Sequence, residues 1–190
     1  MKFIIEHCDE KVWEWAYIEY KMCSEHIGKE NIIFSNIKRK SDREKLSKLG
    51  EVHKESLADV NLPKQKTIIL DPEAKKELTP SDIKYEYFVF GGILGDYPMR
   101  KRTKKMITSK MKGCKIRNLG KEQFSTDNAV FVAKEILNGN KLKNMKFIKP
   151  LIIKTGKNEE LILNFSYPVV NGKVLVSKEL IKYIKEDKGF

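Results

Sequence analysis

Apolar and polar positions divide the chain into alternating strand-like and helix-like segments. KFIIEHC (2–8) is a compact apolar run and reads as an opening strand. The next segment, 9–28, changes period: Trp13, Ala16, Tyr17, Tyr20, Cys23 and Ile27 recur at helical spacing, with Gly28 placed to stop the helix. NIIFSNI (31–37) reads as a second strand and SDREKLSKLG (41–50) as a short helix ending at Gly50. TIIL (67–70) is a third strand that closes on Asp71-Pro72, and EYFVF (86–90) a fourth. A glycine turn, GGILG (91–95), then leads into a basic helix with Pro98 near its start, running to about Lys112. KIRNL (115–119) is a fifth strand. In STDNAVFVAKEILNG (125–139), Ser125 or Thr126 can cap a helix whose apolar face is Ala129, Val132, Ala133, Ile136 and Leu137.

The order β-α-β-α-β-β-α-β-α predicts an α/β fold, a mostly parallel sheet with helices on both faces. After Gly139 the pattern becomes alternating and extended, with an Asn171-Gly172 turn and a last helix SKELIKYIKED. The expected division is a main domain, 1–144, and a small β-rich C-terminal extension with a terminal helix, 145–190.

Composition narrows the function. A 41% share of hydrophobic residues in 190 supports one buried core and excludes a disordered tail. Thirty-eight Lys and Arg against 26 Asp and Glu leave +12, a field that attracts nucleic acid or an assembly rich in it. No apolar run approaches the ~18 residues of a membrane span, and Glu6 interrupts the first apolar stretch, unlike a signal peptide. The expected location is therefore cytoplasmic, without a membrane partner. Cys8, Cys23 and Cys114 stand far apart and read as reduced, structural thiols. His7, His26 and His53 lack metal spacing, and His26 and His53 read as surface residues. No metal is expected.

Three loops draw attention to the carboxyl ends of the strands, where ligands collect in open parallel sheets. They are LDPEA (70–74), the glycine turn, and RNLGKEQFSTDNAV (117–130). The glycine turn fits neither the P-loop nor the G-x-G-x-x-G fingerprint, so a tight turn without ligand remains open beside a nucleotide site. Asp96 is either a helix cap or a functional carboxylate, and Glu6 either a partner for a nearby base or a catalytic group. Lys101, Lys104 and Lys105 read as solvated charge, whereas the guanidinium of Arg100 suits a carboxylate or a substrate. Trp13, Tyr17 and Tyr20 read as core.

IIEHCDEKVWEWAYIEY, TIILDPEAKKELTPSDI, FVFGGILGDYPMRKRT and NLGKEQFSTDNAV, in this order, resemble the SPOUT class of methyltransferases. The similarity is to its small branch whose eukaryotic members methylate an arginine of a ribosomal protein of the small subunit. It runs from about Ile4 to Val130 and continues faintly through SYPVVNGKVLVSKELIKYIK. The resemblance implies a deep C-terminal trefoil knot, a rare exception to unthreaded chain paths. It also implies S-adenosylmethionine held bent by Leu70, Asp71 and Pro72, by Gly91 and Gly92, and by Leu119, Gly120, Gln123, Phe124, Ser125, Thr126 and Ala129. Asp96 is then the first candidate to hold the target arginine and accept its proton, Glu6 the second, and Arg100 a contact to the methionine carboxylate or the substrate. The implied partner is a ribosomal protein; an RNA methyltransferase acting on rRNA or tRNA and a non-catalytic ribosome-assembly factor are the alternatives. The class offers a homodimer with the site near its interface, or a monomer if the tail covers that surface.

Overall fold

The computed structural model describes residues 1–95, 100–156 and 159–186. Six strands form one parallel sheet: β1 (Lys2–His7), β2 (Ile32–Ser35), β3 (Glu51–Val52), β4 (Thr67–Leu70), β5 (Tyr87–Gly92) and β6 (Lys115–Arg117), in the order β3-β2-β1-β5-β4-β6. β3 is an addition to the strands read from the sequence, and Gly91 and Gly92 belong to β5 rather than to a turn. The centre of the sheet is buried on both faces. Phe3, Ile5, Ile68, Leu70, Phe88 and Phe90 point to one side, and Ile4, Ile69 and Val89 to the other. Continuous apolar runs such as TIIL are what two covered faces require.

Helices α1 (Glu14–Ile27) and α3 (Thr126–Leu137) pack together on the first face, through Ala16, Tyr20 and Cys23 and through Val130, Val132, Ala133, Ile136 and Leu137. The short helix α2 (Lys40–Leu46) lies beside β3. The opposite face is covered by the Leu57–Leu62 loop and by Ile107 and Met111. The basic helix expected to Lys112 is only one wide turn, Lys104–Thr108, and its expected start at Pro98 lies outside the described residues. Too few apolar positions recur there to hold a longer helix, since Ile107 and Met111 alone are buried in that stretch.

β6 comes last in the sheet yet sits outside β4, and the connection from β4 to β5 grips its end. Asn118 donates its amide to Lys76 O (2.9 Å) and its side-chain NH2 to Ala74 O (2.7 Å), while the Leu78 amide donates to Asn118 O (2.8 Å). Arg117 completes the clasp with two hydrogen bonds to Asp82, of 3.0 and 3.1 Å.

The tail contains β7 (Phe147–Ile148), β10 (Tyr167–Val170) and β11 (Lys173–Val174) as one antiparallel sheet. The hairpin β8 (Leu151–Lys154) and β9 (Glu160–Leu163) is inserted between β7 and β10, and α4 (Lys178–Lys185) follows β11. Ile153, Leu163, Tyr167, Leu180 and Ile184 form a core with Trp15 and Ile18 of α1, so the tail packs on the outer side of that helix. This corrects one expectation: Trp15 is the buried tryptophan, whereas Trp13 and Tyr17 are half-buried and Lys11 lies 3.7 Å above the Trp13 ring. His26 is also not a free surface residue. It is half-buried against Phe131, and burial lowers its pKa to about 4, with Lys134 adding to the effect.

All three cysteines are free, Cys23 fully buried and the other two partly so. Burial pushes the Cys8 thiol up to about 12, helped by Glu6 and Asp9, and raises Cys23 and Cys114 as well. None has the depressed pKa of a reactive thiol. Among the described residues no helix is long and apolar enough to cross a membrane, and no His, Cys, Asp and Glu group has the arrangement of a metal site.

Candidate active site

β5, β4 and β6 are neighbours in the sheet, and the loops leaving their carboxyl ends surround one cleft of about 900 Å³, counted to its open mouth. From β4 come Leu70, Asp71 and Pro72, with Glu73 beside them. Phe90 and Gly91 end β5, and Ile93 and Gly95 continue the wall. Beyond β6 follow Asn118, Leu119, Gly120, Glu122, Gln123 and Phe124, then Thr126 and Ala129 of α3. Arg100, Lys101, Arg102 and Thr103 close the fourth side.

Two glycines have physical reasons. Gly120 has φ +86° and its missing Cβ would meet Leu142 Cδ2 at 2.7 Å, so the loop turns there only without a side chain. A Cβ on Gly91 would approach Ile93 Cδ1 at 3.0 Å and Thr103 Oγ1 at 3.3 Å, at the cleft wall.

The polar rim is fixed by its own partners. Asp71 is buried; one oxygen accepts from Thr108 Oγ1 at 2.6 Å and the other from the Glu73 amide at 2.9 Å. Glu73 pairs with Lys101 at 2.8 Å. Glu122 accepts from Ser166 Oγ at 2.5 Å and Lys149 Nζ at 3.2 Å, which lowers its pKa, the serine contributing most. Arg102 pairs with Asp9 at 3.5 Å and donates to Leu94 O, and Asp9 accepts the Leu94 amide at 3.3 Å. The tail reaches the rim too, because Phe147 packs on Phe124 at 5.2 Å between centroids and the Ser166 amide donates to Gln123 O at 2.8 Å.

Three expected site residues stand elsewhere. Gly92 faces α1, where a Cβ would lie 2.1 Å from Tyr20 Oη and 2.8 Å from Ile5 Cγ2. The pleat decides this: Gly91 and Gly92 point to opposite faces of the sheet. Ser125 occupies the N-cap position of α3, but its hydroxyl donates to Asp127 Oδ1 at 2.6 Å and it does not line the cleft. Glu6 is buried away from the cleft, and its carboxylate accepts from Ser35 Oγ (2.5 Å), Ser56 Oγ (2.6 Å) and the Leu57 amide. Its partners are hydroxyls and an amide rather than the lysine or arginine the sequence suggested. Asp96 lies outside the described residues. Glu6→Gln is accordingly expected to keep turnover within about twofold while costing about 1–2 kcal/mol of stability. Steady-state rates and urea unfolding check this, and a loss of turnover without loss of stability would return Glu6 to the chemistry.

Sequence reasoning missed Glu73, Asn118 and Glu122. Each sits inside a loop that was singled out, but only the folded clasp shows which side chains turn inward.

A parallel sheet with interleaved late strands and a cleft built by its last three loops defines the SPOUT class of methyltransferase folds. Within it, the chain belongs to the protein arginine N-methyltransferase SFM1-like family, whose model matches residues 2–189. It is 34% identical over 205 residues to protein arginine N-methyltransferase SFM1 of Saccharomyces cerevisiae, covering 100% of this chain and 96% of that one. The crystal structure of the yeast arginine methyltransferase SFM1 complexed with SAM superimposes with a TM-score of 0.88, at 34% identity, over 98% of this chain and 90% of that chain. The same enzyme complexed with SAH gives 0.88 over 97% and 94%. A Trm10 structure from Thermococcus kodakaraensis shares the fold alone, with a TM-score of 0.54 at 16% identity over 74% of this chain and 94% of that one.

Proposed function

We propose that this protein transfers a methyl group from S-adenosylmethionine to an arginine of a ribosomal protein. The observation that carries the reading is the cleft at the ends of β5, β4 and β6, in a chain that matches an arginine methyltransferase over its whole length.

The residues present suit the cofactor. Leu70, Phe90, Leu119, Phe124 and Ala129 give an apolar floor for a flat base, and Gly91 and Gly120 keep the wall free of side chains where backbone must come close. Leu70–Pro72, Gly91 and Leu119–Ala129 would hold it. When bound there, S-adenosylmethionine supplies an activated methyl on a sulfonium.

The protein's own task is to align and deprotonate the acceptor. A guanidinium with a pKa above ~12 is a poor nucleophile until one proton is removed, and it must stand within roughly 3–3.5 Å of the methyl carbon. As the new C–N bond forms and the C–S bond breaks, the displaced proton needs a carboxylate. Asp71, Glu73 and Glu122 line the cleft together with Arg100, Lys101 and Arg102, and each of the three carboxylates is already engaged by a protein partner. Asp96, four residues after Gly92, is the remaining candidate to hold the arginine and take its proton. The net charge of +12 supports a substrate within the RNA-rich ribosome.

The experiment is incubation of small ribosomal subunits with methyl-labelled S-adenosylmethionine, followed by separation of RNA from protein and hydrolysis. Label in methylarginine of one protein is expected, with Asp96→Ala losing turnover but retaining cofactor binding. Label in RNA alone would overturn the arginine assignment. Absence of both label and cofactor binding would favour an assembly factor.

A further inference from the structure

We infer that Glu19, buried in α1 outside the cleft, is a positioning residue that sets the cofactor loop. Its carboxyl group lies between two parts of the chain far apart in sequence. Oε1 accepts the indole N–H of Trp15 at 2.8 Å, and Oε2 accepts the backbone N–H of Thr126 at 3.2 Å. Thr126 is the first residue of α3 and lines the cleft. Trp15, in turn, is embedded in the core that the tail forms on α1.

The link exists because no local cap serves this amide: an N-cap oxygen accepts from the second or third amide of a helix, and Thr126 is the first residue of α3. Ser125 holds the N-cap position, but its hydroxyl is spent on Asp127 and it also accepts from Asn128 Nδ2 at 2.9 Å. The first amide of α3 would then be an orphan in the interior, which costs more than an unmade bond at the surface. Glu19 supplies the missing acceptor from across the fold, at the positive end of the helix dipole. A carboxyl that is 6% exposed is retained there against its desolvation cost. Burial, and then the neighbouring Asp127, raise its pKa above the usual carboxylate range. Glutamine keeps one acceptor oxygen, enough for the Thr126 amide but not for the Trp15 indole as well, and methionine matches its volume without an acceptor.

The inference rests on the cleft being the cofactor site, and the measurements separate the two. Calorimetry with S-adenosylmethionine and initial rates are run on the full-length protein, on Glu19→Met and on Glu19→Gln. Glu19→Met is expected to weaken cofactor binding and raise the cofactor KM about tenfold, with kcat at saturating cofactor within about twofold. Glu19→Gln is expected to restore affinity to within about threefold of the original protein. A general loss of packing would not give that split or that rescue. A folded Glu19→Met protein with unchanged cofactor affinity, or one losing kcat alone, overturns the role. If Glu19→Met does not fold, Trp15→Phe removes the other half of the link, and unchanged affinity there overturns it equally. Failure of the original protein to bind cofactor would instead remove the cofactor site itself.

Discussion

Gly92→Ala is expected to lower the melting temperature by about 4–10 °C, with cofactor affinity in the surviving folded protein close to its original value. The cause is a collision in the core. The new Cβ would stand 2.1 Å from Tyr20 Oη and 2.8 Å from Ile5 Cγ2, both far inside contact distance. Tyr20 cannot withdraw. It is 1% exposed, stacks on Phe34 at 5.3 Å, and its hydroxyl bonds His7 Nδ1 at 2.8 Å. Burial keeps His7 below its ordinary pKa, so the imidazole there is the neutral form that a hydroxyl can bridge. Overpacking of this kind costs about 1–3 kcal/mol once backbone and rotamers adjust, and valine would cost more. The double variant Gly92→Ala, Tyr20→Phe should recover part of the loss, because it removes the atom that clashes most. Thermal melts of both variants, with calorimetry against S-adenosylmethionine, test the assignment. An unchanged melt with lost cofactor binding would put Gly92 in the cleft wall after all.

That glycine marks the limit of what the chain's pattern discloses. TIIL, FVFGG and NLGKEQF were legible as strand ends with unusual loops because Gly and Asp-Pro punctuate them, and those ends do meet at the cleft. The phase of β5 was not legible. With both faces of the sheet buried there is no polar-apolar alternation to say which of two adjacent glycines faces outward. Helix α1 failed for a related reason. Its Ala16, Tyr20 and Cys23 stripe meets the sheet, but a second stripe, Trp15 and Ile18, exists only because the tail lies on it. Trp13 shares the period of the first stripe, and only the tail's position makes Trp15 the buried one. Glu6 carries no local signal, and Glu19 carries only the Trp15 indole one helical turn before it. Their partners include Ser35 and Thr126, 29 and 107 residues away, and a buried carboxyl is recognised by its donors rather than by the residue pattern around it. Family resemblance compensated where periodicity was silent, since it named the loops residue by residue, yet it carried Gly92 and Ser125 into a cleft that neither lines.

Asp82→Ala is expected to lower the melting temperature by about 6–12 °C and to weaken cofactor binding as well, a combination that Gly92→Ala should not show. Asp82 closes the clasp over the end of β6. Its Oδ2 accepts from Arg117 Nε and Oδ1 from Arg117 Nη2, and Oδ2 also accepts the Thr79 amide at 3.0 Å. The pair is largely withdrawn from water, with side-chain exposures of 17% for Arg117 and 4% for Asp82. Breaking such a pair from one side strands a charge and costs about 3 kcal/mol, far more than a surface ion pair of the Lys66–Glu86 kind. The functional effect follows from position. Arg117 O accepts the Asp71 amide, and Asn118, the next residue, bonds Ala74, Lys76 and Leu78 before the chain enters the cleft at Leu119. Loosening Arg117 therefore frees two of the three loops together. Asp82→Asn, which keeps one acceptor for the fork, should show a smaller fall in both quantities. Melts and cofactor titrations on the two variants give the answer. A large loss of stability with cofactor affinity untouched would mean the clasp holds the sheet edge without shaping the cleft.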